Sequence, residues 1–113
     1  MHSKGILNGI RVLEIGHAVA GPAAGLILSD LGAEVIKIEK PGEGDLFRNL
    51  PGMGQSIFMA INRGKRSISL DLRDSEGFKL FLELVRISDV VIDNLEPEAS
   101  RKLGVNYDVL ANE

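Results

Sequence analysis

A strand, a glycine turn, a helix-length segment and a second strand follow one another within residues 11–39, and this order constrains the fold more than any other feature of the chain. RVLEI (Arg11–Ile15) runs directly into Gly16, and residues 22–31 are apolar nearly all round, as expected of a helix buried against a sheet. Pro22 suits a first helical turn, and Gly32 supplies a C-terminal stop. EVIKIE (Glu34–Glu39) then reads as a second strand with Val35, Ile36 and Ile38 buried. Two strands joined through a helix run parallel, so the chain is committed to an α/β sheet.

The rest of the chain extends that pattern. Residues 40–54 hold two prolines, four glycines and no sustained period, which predicts an excursion loop of the kind that serves ligands. A short helix is expected over 56–61, followed by a third strand over 67–72 that alternates polar with apolar and belongs near a sheet edge. Asp74 or Ser75 caps the next helix, in which Phe78, Phe81, Leu82 and Val85 form a stripe while Lys79, Glu83 and Arg86 face water. A fourth strand over 89–93 and short helices over 98–103 and 108–112 complete one Rossmann-like three-layer domain, 1–113, with a mostly parallel sheet of about four strands.

Composition narrows the function. A net charge of -3 over 113 residues speaks against a nucleic-acid surface, so any phosphate site must be local. Without cysteine there is no disulfide framework and no thiolate metal site or nucleophile, which fits a cytoplasmic protein; no metal is expected. The polar start Met1-His-Ser-Lys-Gly is unlike a signal peptide, and no run of about twenty apolar residues suggests a membrane.

The first strand-to-helix turn, GHAVAGP from Gly16 to Pro22, can present backbone N–H groups and a helix N-terminus to an anion. Glycines also occur wherever a chain turns sharply, so the turn alone leaves structural and functional readings open. Gly16, Ala18 and Gly21 occupy the glycine positions of a dinucleotide fingerprint, with Glu39 where a ribose-binding acid belongs. Against this NAD reading, the Ala18 methyl group obstructs close pyrophosphate approach, and Lys40 follows the acid directly. A single histidine such as His17 reads first as a hydrogen-bonded surface residue. Arg63, Lys65 and Arg66 form a basic cluster, either solvated or in contact with phosphate, and Arg63 is assigned to solvent. Asp71 is read as ordering its turn.

Three blocks in register, residues 9–45, NRGKRSISLDL (62–72) and DVVIDN (89–94), resemble the start of class III CoA-transferases, the formyl-CoA and carnitine CoA-transferase family. The resemblance covers residues 9–113. It implies coenzyme A contacts at His17, Ala18, Val19 and Ala20, and a basic residue by the adenosine end at Lys40. It further implies an adenine-lining Leu70, a phosphate-binding Arg73 and a nucleotide-contacting pair, Lys102 and Leu103. The sequence departs from many relatives at Leu95, Glu96 and Glu98, and the two acids are unfavourable beside an anionic ligand.

The resemblance implies an enzyme that moves CoA between an acyl-CoA and a carboxylic acid through an acyl-aspartyl anhydride. The nucleophilic aspartate aligns beyond residue 113, so no catalytic residue is assigned here and this segment alone is expected to be inactive. It also implies an interlocked homodimer. An α-methylacyl-CoA racemase of the same superfamily and a non-catalytic nucleotide-binding or assembly module remain as alternatives.

Overall fold

The computed structural model describes residues 4–113, and the first three residues of the polar start lie outside them. Strands β1 (Arg11–Ile15), β2 (Glu34–Glu39), β3 (Arg66–Ser69) and β4 (Val90–Asp93) form one parallel sheet in the order β3-β2-β1-β4. Leu13 faces Ile36 on one side and Val91 on the other, while Ile38 faces Ile68. The third strand lies at an edge, as its alternation predicts, because only a central strand is covered on both faces and both sides.

Helix α1 (Ala20–Asp30) joins β1 to β2, α2 (Gly54–Ile61) lies between β2 and β3, and α3 (Ser75–Arg86) joins β3 to β4. Helices α4 (Pro97–Leu103) and α5 (Tyr107–Leu110) follow the last strand. The alternation of side chains along each strand separates two apolar layers. Val12 and Val35 pack with Leu28 of α1 on one face, while Leu13, Ile15 and Ile38 pack with Phe78, Phe81, Leu82 and Val85 of α3 on the other. Helices on both faces give the α/β three-layer arrangement. Asp74 caps α3 by accepting the N–H groups of Glu76 and Gly77, and Lys79, Glu83 and Arg86 face solvent, as their spacing predicts.

Several boundaries differ from the sequence-based expectations. Helix α1 begins at Ala20, which still leaves Pro22 within the first turn, where a backbone N–H would have no intrahelical acceptor and proline's lack of one costs nothing. This helix is not buried all round. Its buried residues are Gly21, Pro22 and Gly25, with Leu28 packed on the sheet beside them, and Ile27, 61% exposed, points outward with Leu31. Helix α2 begins at Gly54, and the excursion loop contains a 3-10 turn, Leu46–Arg48, capped by Asp45 through the Phe47 N–H. The third strand stops at Ser69. The Leu70 N–H still bonds to the Glu39 carbonyl, but Asp71 then turns the chain by accepting the Arg73 N–H with its side chain and the Asp74 N–H with its carbonyl. The alternation persists beyond the strand because Leu70 and Leu72 continue to face the core.

Candidate nucleotide-binding cleft

Every βα connection in a parallel sheet emerges at the same end, so residues following β1, β2 and β3 converge there although they lie far apart in sequence. The convergence forms a cleft of about 390 Å³. Ile15, Ile38, Leu70, Leu95 and Leu103 make an apolar interior, while His17, Lys40 and Arg73 stand among its lining groups. The cations Lys40 and Arg73 stand beside the acids Glu43 and Asp71, and an apolar slot bordered by such cations can take a flat base attached to phosphate.

Five of the residues singled out from the sequence therefore meet: His17, Lys40, Leu70, Arg73 and Leu103 all line this cleft. Lys102 does not. It lines an adjoining hollow with Arg73 and Leu103, and its ammonium is paired with Glu98 at 2.9 Å on the exposed surface of α4. Lys40 is likewise paired, 2.9 Å from Glu43, and this contact holds the Glu43 carboxyl below its usual range.

Ala18 and Val19 stand on the β1–α1 turn and Ala20 opens α1; none of the three is in the cleft lining. Val19 is the N-cap of α1, and Ala18 is the only non-glycine among the described residues with a left-handed backbone, at φ 62°. The expected anion cradle is in part internally occupied. The His17 N–H bonds to Asn94 Oδ1 at 3.1 Å, and the Ala18 N–H bonds to Asp45 Oδ1 at 3.4 Å. Gly16 and Gly21 permit close approach of turn and helix, since a Cβ on Gly16 would lie 2.9 Å from the Gly21 Cα and one on Gly21 3.0 Å from Asn94 Oδ1.

Glu39, the ribose-binding acid of the NAD reading, is fully engaged by the protein. It accepts Arg48 Nε and Nη2, each at 2.7 Å, the Asp45 N–H at 2.9 Å and the Ser67 hydroxyl. Burial pushes its carboxyl up, but the bonds from Arg48, Ser67 and the Asp45 amide outweigh this and hold it at about 2. Arg48 in turn lies 4.2 Å from the centre of the Phe58 ring, a cation–π contact that fixes the guanidinium. No acceptor on Glu39 is left to bind a sugar.

The sequence reading passed over a buried charge cluster on the α1 face of the sheet. Glu14 of β1 and Lys37 of β2 lie side by side, with Lys37 Nζ 2.8 Å from Glu14 Oε2 and 3.0 Å from the Gly16 carbonyl oxygen. Lys37 Nζ also contacts Asp45 Oδ2 at 2.8 Å, and Lys65 Nζ contacts Glu14 Oε1 at 2.6 Å. Neither of these two carboxylate oxygens accepts a well-directed hydrogen bond, so proximity to an ammonium carries both contacts. Lys65 completes its set of partners with the Pro22 carbonyl and Asn62 Oδ1. It is neither a solvated lysine nor a phosphate ligand, and burial lowers its pKa against the opposing pull of Glu14. Arg63 is exposed and paired with Asp30, as assigned. The hint available in the sequence was two charged residues, Glu14 and Lys37, each set between apolar neighbours inside a central strand.

Comparison with known proteins identifies the family and the fold. The sequence pattern of CoA-transferase family III matches residues 7–113. An acetyl-CoA:oxalate CoA-transferase of Acetobacter aceti is 45% identical over 96% of this chain, which spans 28% of that protein. A hypothetical protein of Mycobacterium tuberculosis superposes with a TM-score of 0.90 at 40% identity, over 98% of this chain and 31% of that one. A CAIB/BAIF family protein of Brucella suis gives 0.87 at 41% identity, over 97% and 31%. The chain thus spans less than a third of the length of these relatives, and it belongs to the CoA-transferase family III.

Proposed function

We propose that the cleft holds the nucleotide end of coenzyme A and that the whole protein transfers CoA between an acyl-CoA and a carboxylic acid. The observation that carries this reading is the meeting of Lys40, Leu70, Arg73 and Leu103, from four separate segments, around one apolar slot. The apolar side chains take the adenine. Lys40 and Arg73 take phosphate, and Lys102 offers a third cation from the adjoining hollow, which shares Arg73 and Leu103 with the cleft. His17, Ala18, Val19 and Ala20 lie along the path of the pantetheine arm.

In the reaction proposed for the whole protein, an aspartate beyond residue 113 attacks the thioester carbonyl, and the C–S bond breaks to release CoA thiolate. The resulting acyl-aspartyl anhydride divides one acyl exchange into easier steps. No catalytic residue is assigned within 1–113; this segment supplies binding, and the whole protein forms an interlocked cytoplasmic homodimer in which a C-terminal segment returns to complete this domain.

Titration calorimetry tests the binding step. Coenzyme A binds weakly to the isolated chain and more tightly than NAD, and replacing Lys40 and Arg73 together by alanine weakens it by the few kcal/mol typical of charge-assisted contacts, about 1.5–3 for each hydrogen bond. A preference for NAD overturns the reading. The isolated chain gives no turnover with formyl-CoA or succinyl-CoA and acceptor acids, and an acyl adduct trapped on one of its own carboxylates would contradict the mechanism.

A further inference from the structure

The buried charge cluster and the proposed ligand turn meet at one side chain, Asp45. Its carboxylate is withdrawn from solvent although it belongs to the excursion loop, where a charged residue would ordinarily face water. Oδ2 lies 2.8 Å from Lys37 Nζ, while Oδ1 accepts the Phe47 N–H at 2.9 Å and the Ala18 N–H at 3.4 Å. Lys37 holds the same turn from its other end through the Gly16 carbonyl. A lysine–aspartate pair therefore grips the turn on both sides of His17, by one carbonyl and one amide.

Ala18 adopts a conformation that an L-residue avoids unless its surroundings impose it. Lys37 is itself held by Glu14, and Glu14 by Lys65, whose remaining bonds run to α1 and to the segment before β3. Two lysines face two carboxylates, so the cluster is neutral and each charge has a partner. Its position on the α1 face, with only Asp45 reaching the cleft, makes it a support for the site and not part of the binding surface.

We infer that Asp45 is a positioning residue for coenzyme A: with Lys37 it imposes the left-handed backbone at Ala18 and so sets the direction in which the His17–Ala20 turn meets the ligand. The inference deepens the CoA reading and rests on it for its ligand. The hydrogen bond to Ala18 is long, so the ion pair with Lys37, which fixes the carboxylate in place, is essential to the argument.

The test combines CoA titration with amide hydrogen exchange on the same chains. Asp45→Ala weakens CoA about tenfold or more and accelerates exchange at the Ala18 amide, while the Leu13 amide inside β1 keeps its protection. Adding Ala18→Gly to Asp45→Ala recovers a substantial part of the lost affinity, because glycine adopts the left-handed backbone without being forced. A residue needed only to fold the loop would not be rescued in this way. If Asp45→Ala does not fold, Asp45→Asn keeps the acceptor for Ala18 but loses the ion pair, and an intermediate loss of affinity with intact circular dichroism is expected. Unchanged CoA affinity in a folded Asp45 variant overturns the inference, as does unchanged exchange at Ala18. Failure of the unsubstituted chain to bind CoA sinks the CoA reading instead, and the exchange measurement still decides whether Asp45 holds the turn.

Discussion

The side-chain amide of Asn94 pairs with the backbone of His17 in both directions, accepting its N–H at 3.1 Å and donating to its carbonyl at 3.0 Å. One side chain thus continues, beyond the end of β4, the pairing that β4 makes with β1, at the point where the strand order turns back on itself. Asn94→Asp keeps the shape but replaces the donor by a charge facing a carbonyl. It is expected to destabilise the chain by about 1–3 kcal/mol, read from urea unfolding, and to weaken CoA binding by displacing His17.

Gly25 faces the buried cluster, and a Cβ there would overlap Glu14 Oε1 and come within 3.2 Å of Lys65 Nζ. Gly25→Ala on an exposed helix surface would stabilise through helix propensity. Here it separates Lys65 from Glu14, and a loss of about 3 kcal/mol or more is expected in chemical unfolding, since breaking one buried pair costs on the order of 3–5 kcal/mol. A neutral outcome would show that the cluster is free to rearrange.

Glu39 makes stability depend on acid. Its carboxyl is held at about 2 in the folded chain against an ordinary value of 4.5, so the folded state is the weaker proton binder. Its contribution is complete above pH 4.5 and is lost as pH falls from there toward 2. Glu39→Gln should flatten the dependence of unfolding free energy on pH in that interval, and Arg48→Met, by letting the folded carboxyl rise back toward 4.5, should narrow the interval and shrink the decline while leaving its onset near 4.5. Equal slopes for all three chains would refute the assignment.

Glu98 occupies Lys102 at an exposed pair 2.9 Å apart. Because such pairs contribute about 0–1 kcal/mol, Glu98→Gln is expected to strengthen CoA binding by no more than roughly fivefold, with the gain shrinking as salt is raised. Binding that weakens instead would remove Lys102 from the proposed site.

Ile27 and Met59 are 61% and 73% exposed on the α1 and α2 side, and the free edge of the sheet carries Val90 at 40%. Apolar surface and an unpaired strand edge favour association. Light scattering of the isolated chain is expected to give a dimer or larger species, shifted toward monomer by Ile27→Gln with Met59→Gln. A monodisperse monomer of ordinary stability would show that this segment needs no cover.

The order of elements, the parallel sheet and the α3 stripe were legible in the sequence because they depend on local periodicity and on the glycines and caps between runs. The meeting of His17, Lys40, Leu70, Arg73 and Leu103 was reached through family resemblance. The periodicity of each segment says which face is buried but not which segments share an end of the sheet. Strand order decided that. Only the tertiary structure revealed Lys65 as a buried partner of Glu14, Glu39 as an acid already spent on Arg48, and the turn amides as bonded to Asn94 and Asp45. A charge in a sequence reads as solvent-facing by default. Its neutralisation depends on side chains that chain-distant strands and loops bring within 3 Å, and no local pattern records that distance.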